Sequence, residues 1–249
     1  MNNSALRTMD ILELLASSGP LTVSELSRQL NIPKTSAFDI LSALTSRGFA
    51  KADHLHRYSL GLATYRVGMS YIGSTDLYEA GHHRLSLLSK ELGQTVYLAV
   101  EDNGRVVYID KAEQDSPIRF TRKVGDRNQL YNTGLGKAIM AARPELVESL
   151  SFPLDRKTDT TLCAKADLLT DLEATRSRGY ALDRGEDNSL LRCVAVPVRN
   201  RESKAIGAIS CSMLEAEFAK ADIGVIAAAL CDAALDISHS LGFTGDRLY

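Results

Sequence analysis

Apolar residues in the first fifty positions recur with the spacing of short amphipathic helices. The pattern predicts three such helices, over residues 4–17, 23–30 and 33–46. In the first helix, Met9, Leu12 and Ala16 are expected to share the buried face, with Ile11 and Leu15 beside them.

A capping box marks the start of the second helix. The Thr22 side chain can accept from the amide of Glu25, and the Glu25 carboxylate can reach back to Thr22. Asn31 suits the left-handed position that ends this helix, and Pro33 suits the first turn of the next one. A support helix followed by two short helices with a tight turn predicts a helix-turn-helix. The small polar outer face of the third helix would let its backbone approach base edges in the major groove.

Two short alternating segments follow Gly48 and predict a β-hairpin, over residues 49–53 and 57–60. Basic residues cluster near its tip, namely Lys51, His54, His56 and Arg57. Such a hairpin is typical of the wing of a winged helix, which contacts phosphates and sets register more than sequence. Residues 1–61 are therefore predicted to form a winged helix-turn-helix DNA-binding domain. The alternative is a three-helix protein-interaction module with a hairpin.

Helical spacing continues after the hairpin and then gives way to alternation. The pattern of residues 62–75 predicts a linker helix. This helix could form a dimer interface or be a packed linker within one chain. We favour the dimer interface, because a winged helix usually needs a twofold partner. In residues 76–249, helices are predicted at 76–92, 134–142, 144–150, 166–178 and 220–241. Strands are predicted at 95–101, 105–111, 117–123, 180–185, 191–199 and 205–213. Two groups of strands around central helices indicate an α+β fold with a mostly antiparallel sheet.

The charge distribution differs between the two predicted domains. The whole chain carries 29 Lys and Arg against 31 Asp and Glu, which taken alone argues against nucleic-acid binding. Residues 1–70 hold 7 basic and 5 acidic side chains, and residues 71–249 hold 22 and 26. A net charge of +2 on the head and −4 on the body fits a small DNA-binding head. With no eighteen-residue apolar run and no signal-peptide pattern at the start, we expect a cytoplasmic protein without a membrane partner.

The chain has few signs of catalytic or metal chemistry. Its four cysteines, at 163, 193, 211 and 231, show no Cys-x-x-Cys spacing, and we expect reduced, buried thiols. A zinc site assembled from distant His and Cys residues stays open, but we expect no metal and no cofactor. Serine-hydrolase, zinc-protease, dinucleotide and phosphate-loop motifs are absent, so we expect no enzyme. The Gly134-Leu135-Gly136-Lys137 run is not a phosphate loop, since position 131 is not glycine and Ala138 replaces the metal-binding hydroxyl.

Several segments together resemble the IclR-type bacterial transcriptional regulators over essentially the whole chain. These segments are Ile32-Pro33-Lys34-Thr35-Ser36, Arg57-Tyr58-Ser59-Leu60-Gly61, Leu130-Tyr131-Asn132-Thr133-Gly134-Leu135-Gly136-Lys137-Ala138, Arg176-Ser177-Arg178-Gly179-Tyr180-Ala181 and Arg192-Cys193-Val194-Ala195-Val196-Pro197-Val198. The resemblance implies a winged helix, a linker helix and a GAF-like effector-binding domain. It also implies a dimer or tetramer on double-stranded operator DNA and a small, often acidic effector. We expect a repressor; the alternative is a metabolite sensor or scaffold whose head binds protein.

The expected DNA contacts lie in the helix-turn-helix and the wing: Thr22, Lys34, Thr35, Ser36, Asp39 and Arg57. Asp39 departs from the family, which usually has a basic residue there, and Thr35-Ser36 stands where the family often has Ser-Thr. A carboxylate facing DNA repels phosphate, but it can accept from the cytosine amino group or orient Lys34.

The expected effector site combines a helix start with hydroxyl groups on one strand face. Thr133 can cap a helix whose glycines expose amides that suit a carboxylate, although close helix–sheet packing explains the glycines equally well. Ser210 and Ser212 alternate on one face, which calls for a polar ligand or water between them. The resemblance places Gly134, Leu135, Asp183, Leu191, Cys193, Ser210 and Ser212 at effector-lining positions, with Phe120 as an apolar wall. Asp183 could accept from an effector hydroxyl or be a surface charge beside Arg184, and Cys193 is expected to line the site rather than act as a nucleophile.

Overall fold

The computed structural model describes residues 3–72, 76–114 and 122–249. The chain divides into two compact units, residues 1–74 and 75–249. Each unit has its own hydrophobic core.

The first unit consists of a helix-turn-helix, a two-stranded hairpin and a further helix. Its elements are α1 (Asn3–Ser18), α2 (Val23–Leu30), α3 (Lys34–Ser46), β1 (Ala50–Ala52), β2 (Tyr58–Leu60) and α4 (Leu62–Ile72). The predicted capping box is present at Thr22 and Glu25, and Asn31 ends α2 in the left-handed conformation. Pro33 occupies the position before the first turn of α3, so that helix begins one residue later than predicted.

The buried face of α1 differs from the prediction. Ile11 and Leu15 are buried against α2 and β2, whereas Met9 is 60% exposed and Ala16 faces solvent. The periodicity located the helix correctly, but the packing partners select a face centred on Ile11. The inner face of α3 is as predicted, with Ala37, Ile40, Leu41 and Leu44 buried.

The second unit is a six-stranded sheet with helices on both faces. Its helices are α5 (Asp76–Leu92), α6 (Gly134–Ala142), α7 (Glu145–Glu148), α8 (Lys165–Arg178), α9 (Glu215–Phe218) and α10 (Ile223–Ser240). Its strands are β3 (Thr95–Asp102), β4 (Arg105–Ala112), β5 (Arg127–Gln129), β6 (Ala181–Asp183), β7 (Leu191–Arg199) and β8 (Ala205–Leu214). The strand order is β5-β4-β3-β8-β7-β6, and every described pairing is antiparallel. This confirms the predicted α+β fold, with a winged helix at the N-terminal end of the sequence.

A few elements depart from the predictions. Most of the strand predicted at 117–123 lies outside the described residues, and its last two residues are not in a strand. The short elements β5 and α9 were not predicted. Helix α10 begins at Ile223, not 220, because the Asp222 side chain accepts from the amides of Gly224 and Val225.

Alternation along the strands separates two buried layers. On one face, Val96, Val194 and Cys211 pack beneath α5 and α10. On the other, Tyr97, Ala195 and Ala208 pack beneath α6 and α8. Among the described helices, α10 is long and apolar enough to cross a membrane by length and composition alone, which is weak evidence because its buried residues pack on this sheet.

Candidate DNA-binding face and effector cavity

The outer face of α3 presents the side chains predicted to contact DNA. Lys34, Thr35 and Asp39 are exposed on this helix, and Ser36 is partly exposed. The Arg7 guanidinium from α1 lies 3.5 Å from the Ser36 hydroxyl, so a second cation stands beside the start of α3. Asp39 makes no ion pair with Lys34 in this unit.

Two of the predicted DNA contacts already have partners inside the first unit. The Thr22 hydroxyl accepts from the Glu25 amide at 3.3 Å and donates to the Glu25 carboxylate at 2.8 Å. A phosphate would therefore compete with Glu25 for the Thr22 proton. The Arg57 guanidinium donates to the Pro20 carbonyl at 2.8 and 3.2 Å and ties the wing to the turn after α1. The Arg57 side chain stays exposed despite this contact.

A cavity of about 230 Å³ lies on the face of the large sheet that carries α6. Seven of the eight predicted effector residues line it: Gly134, Leu135, Asp183, Leu191, Cys193, Ser210 and Ser212. Phe120 lies outside the described residues. Thr133, which was expected to cap the helix at this site, also lines the cavity. Six further lining residues were not predicted: Tyr97, Tyr108, Arg122, Asn128, Asp187 and Asn188.

The register of the sheet explains why the cavity floor is polar. Cys193 stands directly opposite Asp183 on one side and Ser212 on the other. One strand further along, Tyr97 stands opposite Ser210. Because side chains on paired residues share a face, these groups form one continuous floor. The alternation of residues around Tyr97 could have indicated which side chains of β3 share a face. It could not have indicated that β3 pairs with β8.

Two donors on the floor lack partners. The hydroxyl of Tyr97 and the Nδ2 amide of Asn128 are buried, and neither makes a well-formed hydrogen bond with a described residue, although the Asn128 amide lies within reach of the Tyr108 hydroxyl. Burial raises the pKa values of Tyr97 and Tyr108, so both phenols stay protonated at neutral pH. Unpaired buried donors cost free energy unless water or a ligand satisfies them. This end of the cavity therefore fits a hydrogen-bond acceptor.

The glycines at the start of α6 are explained first by packing. A Cβ on Gly136 would lie 2.1 Å from the carbonyl oxygen of Leu130, which no side chain can occupy. A Cβ on Gly134 would lie 3.3 Å from the Cβ of Cys193, a tight contact with the sheet. The amides of Gly134 and Leu135 belong to the first turn, whose N–H groups have no acceptor within the helix. Close packing and ligand binding are thus compatible at this helix start.

Asp183 is buried, which excludes the surface-charge alternative. Its side chain is only 5% exposed, and its Oδ1 atom accepts from the amides of Gly185 and Glu186 at 2.9 and 2.8 Å. Burial and the nearby Glu186 carboxylate raise the pKa of Asp183 to about 7. Asp183 therefore both shapes the loop after β6 and exchanges a proton near neutral pH.

A buried cluster of charges holds that loop against α6 and α8. Lys137, fully buried, lies 2.5 Å from Glu186 Oε1 and 2.9 Å from Asp171 Oδ2. Asp171 also pairs with Arg184 at 3.0 Å. Burial raises the pKa of Asp171, but Lys137 and Arg184 together hold it below its usual value. The lysine of the Gly-x-Gly-Lys run is thus a structural anchor in the second unit, a role that its sequence did not reveal.

Arg122 and Asp187 stand together in the cavity lining. The Arg122 guanidinium lies 2.5 Å from Asp187 Oδ2, and Asp187 also receives a 3.4 Å hydrogen bond from the Asn132 amide. Cys193 Sγ lies 3.1 Å from the Ser212 hydroxyl. Burial raises the pKa of the Cys193 thiol well above its usual value, which keeps the sulfur protonated and disfavours nucleophilic chemistry. Within the described residues, no group of three or more His, Cys, Asp and Glu is placed to hold a metal ion.

Comparisons with known proteins agree with both halves of this description. Residues 4–54 match the model of the IclR helix-turn-helix domain, and residues 69–239 match that of the bacterial transcriptional regulator IclR C-terminal domain. The chain is 32% identical to the regulator BhcR of Paracoccus denitrificans (strain Pd 1222) over 94% of this chain and 86% of that protein. It is also 32% identical to the repressor AllR of Escherichia coli (strain K12), over 95% and 89%.

A solved structure extends the agreement to the fold. The IclR protein of Thermotoga maritima has a TM-score of 0.80 and 27% identity, and the match covers 98% of this chain and 100% of that one. The chain therefore belongs to the IclR family of DNA-binding bacterial transcriptional regulators.

Proposed function

We propose that this regulator is a repressor whose operator binding is controlled by a small acid held in the cavity of the second unit. The observation that carries this proposal is the polar, partly unsatisfied floor formed by Tyr97, Asn128, Ser210 and Ser212. A concave site with convergent polar groups is the usual form of a small-molecule site. The repressor direction rests on the similarity to AllR, which is named a repressor.

The cavity chemistry favours an acid that also bears a hydroxyl or keto group. The amides of Gly134 and Leu135, at the positive end of α6, suit a carboxylate. Asp183 can accept from an effector hydroxyl when ionised, or donate to an oxygen when protonated. A volume of about 230 Å³ is below the roughly 300–1,000 Å³ typical of drug-sized ligands. These features fit a sugar acid, keto acid or hydroxy acid.

The DNA-binding surface in this proposal is α3 with the wing. Thr35, Ser36 and Asp39 face the major groove, and Lys34 and Arg57 lie near phosphates. Thr22 contributes by fixing the start of α2, since its hydroxyl and its backbone amide are both engaged with Glu25.

We also propose that the protein acts as a dimer or tetramer. Helix α4 exposes large apolar side chains, namely Leu62, Tyr65, Val67 and Met69. Adjacent exposed apolar residues of this kind mark interaction surfaces. A second copy of α4 is the occupant that a twofold operator requires. Effector binding would favour one quaternary arrangement and so change the affinity for DNA. The protein acts in the cytoplasm, by binding rather than by catalysis.

A thermal-shift screen tests the effector proposal. Sugar acids, keto acids, hydroxy acids and aromatic acids are added to the full-length protein at millimolar concentration. A ligand present at 100 times its Kd stabilises the fold by about 2.7 kcal/mol, which for a unit of this size raises Tm by about 5–10 °C. Ser212→Ala should reduce that shift, and Ser240→Ala, on the exposed side of α10, should not. If no acid raises Tm, the effector class is wrong.

A gel-shift assay with the upstream region of the protein's own gene tests the DNA proposal. Binding should weaken with salt, because cations on the protein displace counterions from phosphates. An acid that raises Tm should also release the complex. If no duplex binds even at low salt, the alternative of a protein-binding head replaces the repressor.

A further inference from the structure

The solvent-facing stripe of α3 contains one residue that its polar surroundings do not explain. Thr35, Phe38, Asp39 and Ser42 follow one another at the spacing of a single helix face, and all are exposed. Phe38 is 54% exposed in the middle of this stripe. The core of the first unit is closed by residues of the opposite face, so the Phe38 ring is available to a partner.

The Asp39 side chain is also available to a partner. Its carboxylate is exposed and makes no hydrogen bond or ion pair with any described residue of the first unit. Lys34 lies five positions away, which at 3.6 residues per turn places it about 140° around the helix. Asp39 therefore does not orient Lys34 in this structure. An unpaired carboxylate lowers the affinity for DNA of any sequence, so it can contribute only to discrimination between sequences.

The side chains of α3 match one class of base better than the other. Purines are read by Arg or Lys at guanine and by Asn or Gln at adenine. Helix α3 has no Arg, Asn or Gln, and its single lysine, Lys34, is its first residue. Pyrimidines offer the thymine methyl group to apolar side chains and the cytosine amino group to carboxylates. Phe38 and Asp39 match these two features.

We propose that Phe38 and Asp39 read pyrimidines in each operator half-site, with Phe38 against a thymine methyl group and Asp39 accepting from a cytosine amino group. The inference rests on the proposed placement of α3 in the major groove. Lys34 and Arg7, at the start of the helix, supply the cations that hold it against the phosphates.

The experiment begins with selection of binding sites by the full-length wild-type protein from a random duplex library. Each thymine of the selected site is then replaced by deoxyuridine, which removes only the methyl group. At the thymine that Phe38 contacts, the wild type should lose about fourfold in affinity, the equivalent of exposing one methyl-sized group. Phe38→Ala should bind thymine and deoxyuridine sites equally, and Phe38→Leu should retain part of the difference.

Base substitution tests the Asp39 contact. Replacing the contacted cytosine should weaken wild-type binding by at least about fivefold. Asp39→Ala should lose this preference and, at low salt, bind sequences that lack the cytosine more tightly than the wild type does. Met9→Ala is the matched control for Phe38→Ala, because it truncates an apolar residue of similar exposure on α1. It should behave as the wild type in both tests. Melting temperatures of all variants establish that the first unit stays folded.

Each outcome decides the proposal. Unchanged affinity for every deoxyuridine site, or the same loss in Phe38→Ala as in the wild type, overturns the role of Phe38. A cytosine preference that survives in Asp39→Ala overturns the role of Asp39. If the wild type enriches no sequence, the placement of α3 in the groove fails, and the proposed function fails with it.

Discussion

Replacing Asp183 by asparagine should remove a pH dependence of stability that burial of this carboxyl group creates. The Asp183 side chain is nearly inaccessible and lies beside Glu186, and its pKa in the fold is about 7. In the unfolded chain its pKa returns to about 3.9. Because the folded state binds the proton more tightly, Asp183 stabilises the protein at low pH, and this contribution is lost as pH rises towards 7 and above.

The size of the effect follows from the two pKa values. One pKa unit corresponds to about 1.36 kcal/mol, so between pH 5 and pH 8 the free energy of unfolding should fall by about 2–3 kcal/mol through Asp183 alone. Asparagine keeps an Oδ1 acceptor for the amides of Gly185 and Glu186, so the turn after β6 persists. The free energy of unfolding of Asp183→Asn should therefore fall less between pH 5 and pH 8, and the variant should be more stable than the wild type at pH 8.

Urea unfolding from pH 5 to pH 8 at constant ionic strength measures this difference. Subtracting the wild-type curve from the Asp183→Asn curve cancels the titration of other groups. Asp159→Asn, which removes one exposed carboxylate, is the control for the change in net charge. If the Asp183→Asn and wild-type curves stay parallel across this range, Asp183 is ionised in the fold throughout, and the burial argument is wrong.

Three other substitutions test interactions that stabilise the two units: an ion pair, a close backbone contact and a helix cap. Urea unfolding measures each effect. Lys137→Met leaves the buried Glu186 carboxylate without its cation and should cost about 3–5 kcal/mol; a neutral result would mean that water reaches the cluster. Gly136→Ala places a methyl group against the Leu130 carbonyl and should cost about 3 kcal/mol or more, and wild-type stability would show that α6 can shift. Thr22→Ala removes the cap of α2 and should cost about 1 kcal/mol; no loss would mean that Glu25 alone suffices.

The local elements of the first unit could be predicted because their signals are local. A capping box acts over three residues, and a left-handed Asn31 acts at one position, so Thr22 and Asn31 marked the ends of α2 correctly. The buried face of α1 could not be predicted in the same way. Met9 and Ile11 are both apolar, and only the packing of α2 and β2 against the helix decided that Ile11 is buried.

The cavity was predicted in part, through residues of the family motifs and strand alternation. Alternation placed Ser210 and Ser212 on one face and Cys211 on the other, as the structure shows. Tyr97 and Asn128 were missed because they reach the cavity only through the strand order, which no local pattern encodes.

By itself, the sequence determined where the chain turns, where the longer elements form and which faces of the strands are polar, because these follow from interactions over a few residues. The tertiary structure decided which polar faces meet. By inserting β8 between β3 and β7, it brings Tyr97 and Cys193 to one floor, and it buries Lys137 between two carboxylates. Burial then raises the pKa of Asp183, since a charge is costly only where the whole fold has removed water.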